Sequence, residues 1–189
     1  MKAFAICGIT NSGKTTTTEY ILNELIRRDY RVGSVKYIHC DDFELDNNPS
    51  TDTRRHRMAG SGLVAAHAKG ETNLMFPNRI STEKLLSFYE DECDWVVLEG
   101  VSDILVPTIV TAHNEEDLQM KWSDMVFCIS GCISAGMDEY HGVPAIDATT
   151  NIIDLVDLIE DRVYHWQPNF DAVRYLINNL QYPAHTVRF

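Results

Sequence analysis

The stretch Gly8-Ile9-Thr10-Asn11-Ser12-Gly13-Lys14-Thr15 decides the fold. Its glycine, lysine and threonine stand at the spacing of a Walker A phosphate-binding loop. Such a loop works by geometry: the glycines let backbone N–H groups converge on phosphate oxygens, and the following helix offers the positive end of its dipole. Lys14 is then expected to reach the β- and γ-phosphates of a nucleotide, and the Thr15 hydroxyl to ligate Mg2+. The spacing alone turns up in unrelated chains, so the flanks carry weight. Before the loop, Lys2-Ala3-Phe4-Ala5-Ile6-Cys7 reads as a short buried strand. After it, Thr15 to Arg28 reads as a helix with Ile21, Leu22, Leu25 and Ile26 on one face. Arg27 and Arg28 in the last turn suit the negative end of that helix.

Working outward, Arg31 to Ile38 reads as a second strand, and a strand-helix-strand unit gives parallel, right-handed pairs. His39 to Thr53 is polar and acidic around Asn47-Asn48-Pro49-Ser50, which makes it a candidate switch loop or lid. A short helix is expected from Arg54 to Ala59. A hairpin follows, with strands Leu63–Ala68 and Thr72–Phe76 joined at Lys69-Gly70-Glu71. Ser81 to Asp91 reads as a helix with Ser81 as its N-cap. Trp95–Leu98, Pro107–Ala112 and Met125–Ser130 are continuous apolar strands, and a short final one falls within Val143–Ala148. Asn151 to Asp161 is an amphipathic helix led by Ile152, Ile153, Leu155, Val156 and Ile159. Phe170, Val173, Leu176, Ile177 and Leu180 stand at helical spacing near the end. Residues 1–160 are read as one nucleotide-binding domain, and 161–189 as a helical extension packed on it.

Continuous apolar strands alternating with helices argue for a largely parallel α/β sheet covered on both faces. Ligands of such sheets sit outside the carboxyl ends of the strands. The phosphate loop, Asp41-Asp42 and Glu99-Gly100 all follow strand ends. Glu99 ends a buried strand, where a carboxylate serves as a second Mg2+ ligand or positions water. Gly100 allows close passage of the backbone. Asp41 and Asp42 either contact Mg2+ through water or solvate a loop. The run His39-Cys40-Asp41-Asp42 has the chemistry of a soft or borderline metal site across a dimer, but it lacks a second Cys/His pair at finger spacing. Arg54, Arg55 and Arg57 either pair with the acidic loop before them or grip a second phosphate-bearing ligand. Arg54 and Arg57 share a helix side and Arg55 points elsewhere. His67 and His113 read as ordinary strand or loop residues. No Asn-Lys-x-Asp segment identifies guanine, so motifs alone leave the base open between GTP and ATP.

Composition narrows the classes. The 189 residues suffice to bury a full core. The formal net charge of −12 argues against broad attraction to nucleic acid or anionic membrane. No apolar run is long enough to span a bilayer, and the first residues read as a buried strand, not a signal peptide. A cytoplasmic location is expected. The five cysteines form no disulfide framework and read as free thiols; Cys128 and Cys132, near an apolar strand, read as small buried residues.

These segments together resemble the molybdopterin-guanine dinucleotide biosynthesis protein B (MobB) family. The match is carried by Asn11-Ser12-Gly13-Lys14-Thr15-Thr16, by Val35-Lys36-Tyr37-Ile38-His39 with Asp42-Phe43-Glu44-Leu45-Asp46, by Asp52-Thr53 with Arg57 and Ala59-Gly60, and by Trp95-Val96-Val97-Leu98-Glu99-Gly100. It covers roughly residues 1–160, with departures at Pro49–Thr53 and Val101-Ser102. The resemblance implies a P-loop NTPase three-layer sandwich and a homodimeric, GTP-binding accessory protein with weak hydrolysis. It also implies attachment of a guanine nucleotide to molybdopterin, alongside a partner nucleotidyltransferase. Gly8, Asn11, Ser12, Gly13, Lys14, Thr15, Thr16 and Gly100 would hold the nucleotide. Lys14 and Glu99 would be catalytic, and Thr15, Asp42 and Glu99 would hold Mg2+. Lys36, His39, Asp42 and Asp52 fall on family-like positions. Two other classes stay open: an ATP-dependent small-molecule kinase or ligase, and a metal-insertion chaperone using His39 and Cys40.

Overall fold

The computed structural model describes residues 1–39 and 51–167. Asp41, Asp42, Cys40 and the helical spacing from Phe170 to Leu180 lie outside the described residues. The chain forms two compact units. One comprises Met1–Tyr37 and the chain from Leu86 on; the other is Ile38–Leu85.

The first unit is built on five parallel strands: β1 (Lys2–Gly8), β2 (Val32–Lys36), β5 (Trp95–Glu99), β6 (Thr108–Thr111) and β7 (Val126–Ser130), in the order β2-β5-β1-β6-β7. Side chains alternate across a strand. Phe4 and Ile6 of β1, Trp95 and Val97 of β5, Ile109 of β6 and Cys128 of β7 therefore share one face. There they pack with Ile21 and Leu25 of α1 (Lys14–Arg27) and Leu155, Val156 and Ile159 of α5 (Ile152–Arg162). Ala3, Ala5, Val96 and Leu98 turn to the opposite face with Leu86, Val101 and Val106. Further along that face, Val110 and Ile129 meet Leu118 of α4 (Glu115–Lys121). Helices on both faces explain why these strands read as unbroken apolar runs. Truncating a fully buried side chain such as Leu25 or Leu98 to alanine would cost about 2–5 kcal/mol.

Several expectations shift in detail. β1 and β2 are parallel but not paired, because β5 inserts between them. Ile26 and Ile153 are more than half exposed. The buried stripe of α1 runs through Thr17, Thr18, Ile21, Glu24 and Leu25 instead. Glu24 takes an interior place because Arg27 and Arg28 both bond its carboxylate. The segment Val143–Ala148 adds no full strand to the sheet. Only Ala145 bridges Ile129, while β8 (Glu139–Tyr140) and β9 (Val143–Pro144) form a small hairpin. His141 and Gly142 at its tip both have positive φ, as a two-residue type I′ turn requires. Helix α4 has no counterpart among the sequence expectations.

The second unit holds α2 (Asp52–Met58) and the antiparallel hairpin β3 (Val64–His67) and β4 (Thr72–Met75), as the sequence indicates. The Thr51 side chain caps α2. The helix expected from Ser81 to Asp91 is shorter: α3 spans Thr82–Leu86, with Ser81 Oγ accepting from the Lys84 N–H. Beyond it Tyr89 donates its hydroxyl to the Ser34 carbonyl at 3.1 Å and lays its ring against Gly33, an arrangement that a continued helix does not supply.

Among the described residues no helix is long and apolar enough to cross a membrane.

Candidate functional site

The site is the carboxyl end of the five-stranded sheet, on the face that carries α1. Strand parity explains it. The face that is apolar lower down ends in Lys36 on β2, Glu99 on β5, Thr111 on β6 and Ser130 on β7. Register sets these ends side by side: Lys36 pairs with Glu99, and Thr111 pairs with both Gly8 and Ser130. β5, β6 and β7 thus change from apolar to polar at one level, and the first turn of α1 and the loop before it sit against that level.

The loop is braced from beneath. The Ser12 hydroxyl donates to the Ile9 carbonyl at 2.8 Å and shares a 2.6 Å hydrogen bond with the Thr111 hydroxyl. The Ser12 carbonyl accepts from the Cys132 N–H at 3.1 Å. Gly13, with φ of 100°, is the N-cap of α1, and among the described residues no side chain caps that helix. A Cβ on Gly13 would stand 2.9 Å from the Gly131 Cα. Gly131 itself has φ of 75°, and a Cβ there would run into the Ser12 carbonyl oxygen. Two glycines therefore let the loop and the turn after β7 touch backbone to backbone. Gly8 meets Thr111 in the same close manner. The Gly100 N–H donates to the Ile6 carbonyl at 2.9 Å and extends the β1–β5 ladder past Glu99. Asn11 and Thr16 are exposed on the loop and the first turn, and Asn11 has φ of 60°.

Lys14 curls over the loop, donating to the Gly8 carbonyl at 3.1 Å and to the Ile9 carbonyl. Burial holds its ammonium below the ordinary lysine range; Glu99 draws it back up, while Lys121 and Lys36 push it further down. An arriving anion would relieve that penalty. The Thr15 hydroxyl donates to Glu99 Oε1 at 2.6 Å. Glu99 is only 7% exposed, and Lys36 Nζ stands 2.9 Å from the same oxygen and 3.2 Å from Thr15 Oγ1. The donor set fits Mg2+: a hydroxyl and a carboxylate, both hard oxygens, lie close together beside a loop shaped for phosphate.

Of the expected site residues, Gly8, Asn11, Ser12, Gly13, Lys14, Thr15, Thr16, Glu99 and Gly100 all fall on this rim. Asp42 lies outside the described residues. His39, Asp52 and the arginines belong to the second unit. There Arg54 and Arg57 are half-buried, and exposed Arg55 pairs with Asp52 at 3.2 Å. His67 bonds the Thr72 hydroxyl across its hairpin. His113 is held by its backbone N–H to Asp117 and lies 3.4 Å from the Thr10 carbonyl through Nε2. Cys128 is buried, and its thiol is pushed up to about 12 by burial. Cys132 departs from the expectation: it is exposed and beside the loop, its thiol 3.6 Å from the Asn11 carbonyl. No group of three or more His, Cys, Asp or Glu able to hold a metal occurs among the described residues. Sequence reasoning missed Thr111, Gly131 and the contact of Lys36 with Glu99. Their signal was present as a polar residue closing each apolar strand, and a glycine just after β7.

A family model described as molybdopterin guanine dinucleotide synthesis protein B matches residues 3–130. A curated relative from Bacillus subtilis (strain 168), called a probable molybdopterin-guanine dinucleotide biosynthesis adapter protein, is 26% identical over 144 residues. The match covers 76% of this chain and 83% of that one. A Haemophilus influenzae molybdopterin-guanine dinucleotide biosynthesis adapter protein is 26% identical over 172 residues, covering 89% and 91%. Among solved structures, Bacillus subtilis MobB superposes with a TM-score of 0.69 at 24% identity, covering 88% of this chain and 100% of that one. A MobB homologue from Bacillus stearothermophilus gives 0.63 at 18% identity, covering 84% and 96%. The likeness of the solved structures is one of fold, a P-loop NTPase sandwich.

Proposed function

Because the chain belongs to the MobB family, we propose that it is a GTP-binding accessory protein of molybdenum-cofactor biosynthesis, acting where a guanine nucleotide is joined to molybdopterin. One observation carries the reading: the Thr15 hydroxyl, the buried Glu99 carboxylate and the Lys14 ammonium converge on one rim beside a braced phosphate loop. The loop amides and α1 would cradle the phosphates, and Lys14 would leave its loop carbonyls for their oxygens. Thr15 and Glu99 would hold Mg2+, which when bound neutralises charge on the β- and γ-phosphate oxygens. Asp42 remains a proposed additional ligand through water. No side chain described at the rim is a strong general base for water, which accords with weak hydrolysis and with an adapter working beside a partner nucleotidyltransferase. Molybdopterin is proposed as the second ligand, a homodimer as the assembly and the cytoplasm as the location.

Calorimetry with GTP and with ATP, each with Mg2+, tests the reading. GTP should bind more tightly. Lys14→Ala should weaken it by roughly 10–150-fold, the loss of a charge-assisted contact worth about 1.5–3 kcal/mol. Absence of binding by any nucleotide, or indifference to Lys14→Ala, would sink it.

A further inference from the structure

Lys36 has no part in the phosphate-loop motif, yet among the described residues it makes the closest cationic contact to the buried carboxylate of the rim. Its ammonium lies 2.9 Å from Glu99 Oε1 and 3.2 Å from Thr15 Oγ1, and those two oxygens are 2.6 Å apart. Thr15 gives its one proton to Glu99 and so meets Lys36 through one of its two lone pairs, the kind of donor a metal ion would also use. The contact is set by the fold, since Lys36 and Glu99 are register partners on adjacent parallel strands. The two partners differ in freedom. Glu99 is buried, and a buried carboxylate requires a counter-charge. The Lys36 side chain is 57% exposed, on an edge strand, with a flexible stem free to carry the ammonium elsewhere.

We propose that Lys36 and a divalent cation compete for one site, the Thr15 hydroxyl and Glu99 carboxylate, so that Lys36 keeps metal off the rim until a phosphate-bearing ligand draws its ammonium away. This rests on the assignment of Thr15 and Glu99 to the divalent cation. Neighbouring corners of an octahedron with 2.0–2.1 Å bonds stand about 2.9 Å apart, close to the separation of the two oxygens here. A metal and an ammonium cannot both occupy the space in front of that pair. Metal binding then becomes conditional on phosphate without any change in the loop itself. The rim does not bind divalent cations indiscriminately, and the nucleotide supplies both the remaining metal ligands and the new partner for Lys36.

The test is Mn2+ binding to the full chain without nucleotide, read by the loss of the free-ion electron paramagnetic resonance signal. The wild type should bind Mn2+ weakly, and Lys36→Met should bind it about tenfold tighter or more. Lys36→Arg, which keeps the charge, should stay weak. Adding Glu99→Gln to Lys36→Met should abolish the gain, which locates the metal at the rim. Thermal melts establish that each variant is folded; if Lys36→Met is not, Lys36→Gln takes its place with the same expectation. A folded Lys36→Met or Lys36→Gln whose Mn2+ affinity equals the wild type's overturns the proposal, as does a gain that survives Glu99→Gln. Because nucleotide is left out, failure here is separate from failure of GTP binding, which calorimetry reads on its own.

Discussion

The two ends of the central sheet use similar residues for opposite ends. At the amino end, cations and anions satisfy one another. Arg28 pairs with Glu24 at 2.9 Å, Asp157 at 2.7 Å and Glu160 at 3.0 Å, tying α1 to α5. Arg31 grips both oxygens of Asp94. Lys2 lies over the Trp95 ring and donates to the Glu160 carbonyl. Lys2, Arg31, Asp94, Trp95 and Glu160 border a cleft of about 360 Å³ lined with both signs of charge. At the carboxyl end one ion pair, Lys36 with Glu99, stands beside polar groups that hold a loop, and among the described residues Lys14 donates to backbone carbonyls. Burial holds its ammonium below the ordinary lysine range, and the nearby Glu99 carboxylate only partly offsets this. The comparison shows that ionic groups closed among themselves secure helices, whereas groups held near a helix N-terminus stay available to an anion.

That contrast can be broken. The largest effect is expected for Gly131→Ala, which puts a methyl group into the Ser12 carbonyl at a left-handed position. Overpacking of this kind costs about 1–3 kcal/mol. Because the strain falls on the phosphate loop, nucleotide affinity should drop by at least about tenfold in calorimetry. Unchanged binding would mean that the turn after β7 does not brace the loop. Thr111→Val comes next. It keeps the shape and removes the hydroxyl shared with Ser12, with an expected loss of about 0.5–1.5 kcal/mol in denaturant unfolding and a smaller loss of nucleotide affinity.

At the amino end the expected effects are on stability alone. Arg27, then Arg28, hold the Glu24 carboxyl down at about 2, against 4.5 for a free glutamate. A carboxyl with a depressed value stabilises the fold above the ordinary value and loses that contribution as pH falls from 4.5 toward 2. Melting temperatures of wild type and Glu24→Gln should therefore differ most at pH 6 and converge near pH 2.5. A constant difference would contradict the ion-pair account. Arg31→Ala should have the smallest effect, a slight loss of melting temperature with nucleotide affinity unaltered, because exposed pairs contribute little.

Much of this architecture was legible in the sequence because both its signals are local. Apolar continuity marks β1, β5, β6 and β7, and the glycine-lysine-threonine spacing marks the loop between β1 and α1. What stayed hidden depends on partners distant in the chain. Glu24 reads as a surface residue until Arg27 and Arg28 are seen to neutralise it, and Ile26 takes the exposed place instead. Helix α4 buries little beyond Leu118 and Asp117, too few positions to show a period. Its sign was the cap, with the Asn114 side chain accepting from the Asp117 N–H ahead of three consecutive acids. The candidate site, as a place in the fold, was legible in part. Lys14, Thr15 and Glu99 could be named, but the register of Lys36 with Glu99 and the contact of Gly131 with Ser12 exist only once β5 and β7 have joined the sheet.

The strand order has a consequence for how the protein is made. Of the five strands β1 is made first but sits mid-sheet, and Lys2 finds its register partner only when Trp95 has been synthesised. The strand that carries Thr111 and the turn that carries Gly131 follow later still. Pairings so distant in the chain form late, because the loop between them must close before any contact rewards it. An unfinished chain therefore carries the whole phosphate-loop motif without the walls that shape it. On the proposed reading, nucleotide capture requires a chain that has reached the turn after β7, and one released earlier would not hold nucleotide away from the folded molecules.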